Sequence, residues 1–481
     1  MSGSRRVVVV GGGLAGLSAA LSCTDAGADV LLLESKPRLG GATWSFQRNG
    51  LSFDNGQHVY MRCCTAYRRF LERIGSAGDA PLQERLAIPV VRPTGGDAPA
   101  VSWIRRNDLP APLQLGSSLA TYAHLGVADR LRLGRAVMAI RRLHLSDPAL
   151  DTETFGSFLA RHGQSPAAIE RLWDLITLPT VNLHAAEASL ALAAKVFQTG
   201  LLTESDAADL GWARVPLSTL HADRAAQVLR SGGATVRRSA KVSAVRYDES
   251  SPDAGSGPPL VATGVVVDGE TVEADAVVLA VPHDVADELL PGRRPGARAG
   301  TGSAADLGRS PIVDVHVVYD RTVLGYDVAA AVGSPVQFVF DTTASSGLDP
   351  ADGQCVAVSI SGADAEHGER PEVLVERYTR AIAELFPAAR DAKVVDAVVS
   401  REHAATFRGV PGTAALRPRP ATEVAGLFLA GAWTDTGWPA TMEGAVRSGV
   451  AAAALALRTA GSERGGPRVP GGLERPEEVD A

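Results

Sequence analysis

Gly11, Gly13 and Gly16 stand in the spacing G-x-G-x-x-G, and an acid, Glu34, follows about 20 residues further on. Glycines so spaced let a backbone turn tightly and approach a pyrophosphate, whose charge the unpaired N–H groups and dipole of a helix start favour. Glu34, at the end of the next strand, can accept hydrogen bonds from a ribose diol. The set points to a dinucleotide; a glycine-rich packing turn would leave Glu34 unexplained. A second Gly-rich stretch, FLAGAWTDTGWPATMEGAVRSG, lies more than four hundred residues later.

The elements that must position these residues read as follows. Val7–Val10 is a β-branched run that fits a buried parallel strand, Leu14–Ala26 has helical spacing ended by Gly27, and Asp29–Leu33 is the next strand. Near the other terminus, Leu427–Ala430 is a strand ended by Gly431, and Met442–Leu457 is an Ala-rich helix with Thr441 as candidate N-cap and Glu443 in its first turn. A sheet begun at the N-terminus thus takes its last strand from the C-terminus, and two helix starts face one large cofactor. A nicotinamide site is usually completed within one contiguous domain. A flavin between domains needs donors at N1 and the C2 carbonyl, a role for the N–H groups around Thr441 and Met442. FAD is the cofactor expected.

With 481 residues, 45% hydrophobic, the chain is long enough for two or three domains. A formal net charge of −7 with interspersed acids and bases argues against a nucleic-acid partner. Cys23, Cys63, Cys64 and Cys355 make no disulfide framework and no C-x-x-C pair, so no metal is expected and a reducing cytoplasm is the simplest compartment. Adjacent Cys63 and Cys64 would form a strained disulfide and read as small buried hydrophobes. The opening MSGSRRVVVVGGGLAGLSAALS has the arginines and apolar run of a secretory leader, but the glycine triplet would break its helix and no clear cleavage site follows. No stretch reaches the ~18 apolar residues of a membrane span.

Residues 100–230 read mostly as helix, including Val127–His144 and Glu187–Phe197. The first carries Arg130, Arg132, Arg135, Arg141 and Arg142, either a solvated face or a membrane-surface contact. Strands follow at Ala234–Arg238, Lys241–Tyr247, Gly264–Val267 and Thr271–Glu273, the last two joined by a type I′ turn at Asp268-Gly269, then at Ala276–Val281. DESSPDAGSGPP is a solvated loop. Strands at Ile312–Tyr319, Val336–Phe340 and Val356–Ile360 with a helix near Glu372–Leu385 suggest a second layered domain, and the last residues a disordered tail. The expected division is an FAD-binding domain in three pieces (1–75, 231–290, 421–460), a mainly helical substrate or cap region (76–230), a stranded substrate domain (291–420) and a tail (461–481). The fold class is α/β, a Rossmann-like FAD-binding domain interleaved with an α+β substrate domain.

VVVVGGGLAGLSAAL, the acid of LLLESKPRLGG and AGAWTDTGWPATMEGAVRSG together resemble the superfamily of flavin-containing amine oxidases and carotenoid (phytoene) desaturases. LSFDNGQHVYMRCCTAY narrows the resemblance to the hydroxysqualene dehydroxylases of bacterial squalene and hopanoid biosynthesis. The resemblance implies a reduced-flavin reaction that replaces the hydroxyl of hydroxysqualene with hydrogen. It puts Gly11, Gly13, Leu14, Ala15 and Gly16 on the pyrophosphate, and Glu34 with Ser35 on the adenosine ribose. Arg38, Gly40 and Gly41 fall in the loop approaching phosphates and ring, Gly56, Gln57 and His58 beside the isoalloxazine, and Val242 at the adenine; Gly431, Asp435, Thr441 and Met442 complete the set. Two departures stand out: Ala42 where the superfamily usually has arginine, and Ala432 where it has an acid whose bond Asp435 or a backbone N–H would replace.

His58 is the candidate proton carrier for the leaving hydroxyl, with a flavin-bonding or structural role as the alternative. Asp54 reads as a turn former before Asn55-Gly56, and Trp438 as a lining residue of an apolar channel or a core aromatic. The expected partners are a long isoprenoid substrate and an electron donor that the sequence does not name. The expected place is the cytoplasm, with peripheral contact at the inner face of the membrane. The alternatives are a desaturase or amine oxidase of the same superfamily and a flavoprotein without turnover.

Overall fold

Val7, Val8 and Val9 are fully buried because the strand that carries them, Arg6–Val10, lies at the centre of a parallel sheet covered on both faces. The computed structural model describes residues 4–96, 98–249, 260–289 and 304–459. The central strand pairs with Asp29–Leu33 on one side and Ala276–Leu279 on the other, and Thr235–Arg237 and Leu427–Leu429 extend the sheet outward. Five strands from three distant stretches of chain therefore make one sheet.

One face is covered by the opening helix, Leu14–Asp25, and the closing helix, Met442–Thr459, which pack against each other and share a core with Val7 and Val9. The crossing is close: a Cβ on Gly449 would lie 2.1 Å from the Ala15 carbonyl oxygen. The two ends of the chain thus form one body. The other face packs on a three-stranded antiparallel sheet, Val242–Glu249, Leu260–Val267 and Glu270–Glu273. Asp268 and Gly269, both at positive φ, form the turn that joins its last two strands.

The second sheet has seven strands in the order Val394–Thr406, Ser310–Tyr319, Gln354–Ser361, Phe338–Asp341, Val328–Ala331, Ala87–Arg92 and Ala100–Arg105. Val313, Val315 and Val317 face the helix Pro371–Leu385. By the two-residue period of a strand, Asp314 and His316 face the other way, where His316 meets the Phe53 ring edge-on at 5.5 Å. A helical block, with core residues Leu133, Ile140, Phe155, Trp173 and Phe197, packs against the far strands.

Several elements differ from the sequence reading. Ala100–Arg105 is a strand where helix is expected, because it pairs antiparallel with Ala87–Arg92. The helix expected over Glu187–Phe197 begins at Leu190, since Ser189 caps it by accepting from the Ala191 N–H. The helix beginning at Val127 ends at Arg141. Ser45–Arg48 and Leu51–Asp54 form a hairpin turned by Asn49-Gly50, both at positive φ. Residues 250–259 of the expected loop and the tail 461–481 lie outside the described residues. Among the described residues no helix is long and apolar enough to cross a membrane.

Candidate active site

Two glycine turns meet backbone to backbone at the carboxyl ends of the parallel strands. Gly11, at φ +105°, could not carry a side chain, because a Cβ there would lie 2.3 Å from the Ala280 oxygen. Gly40 donates its N–H to the Gly12 oxygen at 2.8 Å, and a Cβ on Gly41 would lie 2.8 Å from the Gly13 Cα. Leu14, Ala15 and Gly16 open the helix behind this contact, buried. Arg38 stacks on Trp44, its guanidinium carbon 3.7 Å from the ring centroid, and donates to the Gly41 oxygen; burial lowers its pKa.

Glu34 is buried at the end of its strand. One oxygen accepts from the Gly12 N–H at 2.6 Å, the other from the Lys36 N–H at 2.7 Å and the Ser35 hydroxyl at 3.2 Å. The carboxylate therefore ties the glycine turn to the strand end. Four lone-pair positions leave it room to accept from a diol as well. The Ala240 N–H donates to the Glu34 oxygen, and two residues on Val242 begins its strand, so these expected contacts share one edge.

Gly56, Gln57 and His58 form a turn held between the two sheets. Asn55 pins its start by donating to the Ala42 oxygen at 2.7 Å and accepting from the Trp44 N–H at 3.1 Å. The Gln57 N–H donates to Asp314 Oδ1 at 3.2 Å. His58 sets Nδ1 3.0 Å from the Gly56 oxygen, and burial lowers its pKa, so its ring is neutral at pH 7. Its neighbour His221, buried and bonded to the Tyr67 hydroxyl at 2.6 Å, is pushed down to about 3, chiefly by burial. Asp54 is not a turn former: it ends the hairpin strand, buried, and accepts from the Ser45 hydroxyl at 2.6 Å and the Leu217 N–H at 3.0 Å. Burial pushes its pKa up to about 6.

The C-terminal turn supplies the third side. Gly431, at φ +144°, donates to the Ser448 hydroxyl, and the Trp433 indole donates to the Val281 oxygen. Arg417 organises the loop: it is buried, lies over the Phe407 ring and donates to the oxygens of Ala432, Trp433 and Thr434. Asp435 is exposed and its N–H goes to the Pro418 oxygen. Thr441 caps the closing helix by accepting from the Gly444 N–H at 3.2 Å, with Met442 as its first residue. Trp438 lies between two cations, Lys195 and Arg447, at 5.2 and 5.1 Å from its ring centroid. Cys64 is buried and Cys63 half-buried, and both are free thiols.

Arg417 and Asn55 hold these loops in place, and Asp314 accepts from the Gln57 N–H; the sequence reading gives none of the three a role in the site. Asn55 sits in an Asn-Gly pair that reads as a turn, and Arg417 in a proline-rich stretch that reads as loop. Only tertiary contact gives them partners.

A contiguous match to known proteins accompanies this geometry. Residues 14–457 match the family of flavin containing amine oxidoreductases. The chain belongs to that family. A hydroxysqualene dehydroxylase from Sinorhizobium fredii is 30% identical to it, over 94% of this chain and 98% of the relative. One from Rhodopseudomonas palustris is 29% identical over 94% and 99%, and a probable zeta-carotene desaturase from Synechococcus elongatus is 25% identical over 94% and 98%. Among solved structures, cyclohexylamine oxidase from Brevibacterium oxydans matches with a TM-score of 0.68 at 20% identity, over 95% of this chain and 99% of that one, which shows a shared fold.

This amine oxidoreductase family member is a flavin-dependent oxidoreductase, and its residues fit the cofactor. Gly13 and Gly41 pack backbone to backbone, where a Cβ on Gly41 would lie 2.8 Å from the Gly13 Cα, so the glycine turn is held tight beside the helix start at Leu14. The helix starts at Leu14 and Met442 supply N–H groups from both chain ends. The missing acid at Ala432 is set against Arg417, whose three carbonyl bonds hold that loop from behind.

Proposed function

We propose that this chain reduces hydroxysqualene to squalene, with FAD as hydride carrier, in squalene and hopanoid biosynthesis. The whole-length likeness to hydroxysqualene dehydroxylases carries the reading. When bound and reduced, FAD supplies a hydride to an allylic carbon. The protein's part is to hold the ring at Gly56–His58 and Thr441–Met442, to keep water from the reacting carbon, and to deliver one proton so that the hydroxyl leaves as water. The nucleotide half is held by Gly11, Gly13, Gly16, Glu34, Arg38, Gly40, Gly41 and Val242.

The likeness to a zeta-carotene desaturase supports a second reading, in which the same site takes a hydride from a long polyene. The two differ in the direction of transfer. Purified protein reduced with dithionite and mixed anaerobically with hydroxysqualene regains its yellow colour and yields squalene under the first reading. Recolouring without squalene in the organic extract rejects it.

We also propose contact with an anionic membrane surface, where such a substrate resides. The helix Val127–Arg141 buries Leu133, Ala136 and Ile140. Val127, Leu131 and Met138 are exposed, and at ~100° per residue they fall within about 40° of one another on the opposite side. Arg130 and Arg141 flank this stripe on one side and Arg135 on the other. A helix with a second apolar stripe rimmed by arginines suits the headgroup boundary of an anionic bilayer.

A further inference from the structure

Asp314 is a fully buried carboxyl beside the Gly56–His58 turn. It lies in the strand Ser310–Tyr319, between Val394–Thr406 and Gln354–Ser361, with no solvent exposure, on the face away from the helix Pro371–Leu385. Oδ1 accepts from the Gln57 N–H, while Oδ2 forms no hydrogen bond among the described residues. A Cβ on Gly56 would lie 3.0 Å from Oδ2 and 3.8 Å from His58 Cε1, so both groups border the same bare glycine. The Gln57 side-chain nitrogen, on the same turn, is likewise buried without a partner. A carboxylate would not be left so; a carboxylic acid can be, and it carries a proton.

The surroundings keep it in that form. Burial raises its pKa to about 7, with Asp54 adding to the rise, against the Ser359 hydroxyl and the Gln57 N–H, which lower it. The other polar groups on that face are His316, neutral because burial pushes it down to about 4, Ser400 opposite in the neighbouring strand, Glu402 beside Asn55, and neutral His58. None is a cation bonded to Asp314.

We propose that Asp314 is the acid that protonates the departing hydroxyl, a role that rests on the reduction reading above. The step is balanced: the carboxyl O–H breaks as the proton passes to the substrate oxygen, the C–O bond breaks to release water, and the allylic carbon takes the hydride and its electron pair from reduced FAD, which is oxidised. Solvent returns the proton to Asp314. His58, neutral at pH 7, holds no proton to spare.

The test compares the full-length holoenzyme with Asp314→Asn, Asp314→Glu and His58→Gln, each reduced and mixed anaerobically with hydroxysqualene from about pH 5 to about 9. Asp314→Asn is isosteric and is expected to keep its FAD absorbance and reduce normally, while reoxidation by substrate slows ~100-fold or more. In the wild type the rate is expected to fall as pH rises through about 7. That limb persists in His58→Gln, moves in Asp314→Glu and is absent from Asp314→Asn. A wild-type rate in Asp314→Asn, a flat wild-type profile, or a limb lost only in His58→Gln overturns the assignment. Wild-type enzyme that gives no squalene at any pH rejects the reaction itself, and this role with it.

Discussion

Glu443, in the first turn of the closing helix, accepts hydrogen bonds from the backbone N–H groups of Ala66 at 3.1 Å and Tyr67 at 2.7 Å. Its buried carboxylate thereby caps the helix Thr65–Arg73, whose own N-cap residue, Cys64, offers no side-chain bond, and it also accepts from Arg447 at 2.6 Å. One side chain thus joins the two ends of the chain beside the proposed flavin ring.

Glu443→Ala removes that cap and leaves Arg447 without its carboxylate, so it is expected to lower the unfolding free energy by about 3 kcal/mol. Glu443→Gln keeps an acceptor and should cost less than half as much. Urea unfolding of the holoenzyme checks both; a loss under about 0.5 kcal/mol for the alanine variant would show that the cap contributes nothing.

Gly449→Ala drives a methyl into the Ala15 carbonyl and forces the opening and closing helices apart. We expect a loss of about 1–3 kcal/mol together with reduced FAD retention after gel filtration. Gly78→Ala, with open space around it, is the control and should be nearly neutral. Equal behaviour of the two would contradict the close crossing.

The folded pKa of Asp314, about 7, lies above its ordinary value of 3.8. Its contribution to stability is therefore fully present below pH 3.8 and is lost as pH rises through about 7. Asp314→Asn, which cannot ionise, should gain on the wild type between those limits and melt higher at pH 8, by an amount of order 2 kcal/mol. A melting-temperature difference that does not grow with pH would contradict this. A variant more stable and less active than the wild type separates a proton-donor role from a structural one.

For the membrane face, flotation with vesicles of phosphatidylcholine and phosphatidylglycerol should carry the wild type upward, and pure phosphatidylcholine should carry less. Replacing Leu131 and Met138 by serine removes two side chains each worth ~1.5–3 kcal/mol of burial and should abolish flotation while FAD content stays unchanged. Protein that stays at the bottom with either vesicle refutes the contact.

Much of the nucleotide half is legible in the sequence because its signals are local. The valine run, the glycine spacing and the acid of one βαβ unit fix three elements within a few dozen residues, and the strands Asp29–Leu33 and Leu427–Leu429 fall where the apolar runs lie. The second sheet is less legible, since Ala87–Arg92 finds its parallel partner, Val328–Ala331, far along the chain. Arg417 reads as loop because its three carbonyl acceptors come from a segment beyond the next strand. Asp314 and His316 did leave a trace: two polar residues at alternate positions in PIVDVHVVY mark one face of an apolar strand. The Asn49-Gly50 pair, likewise, is the turn signal for the hairpin that delivers Asp54.

The reaction itself is tested most directly by isotope transfer. Holoenzyme exchanged into deuterium oxide, reduced there and mixed anaerobically with hydroxysqualene should yield squalene carrying one deuterium at the former carbinol carbon, one molecule for each flavin reoxidised. Squalene without deuterium, or reoxidised flavin with hydroxysqualene unchanged, would contradict hydride transfer from the flavin to this substrate.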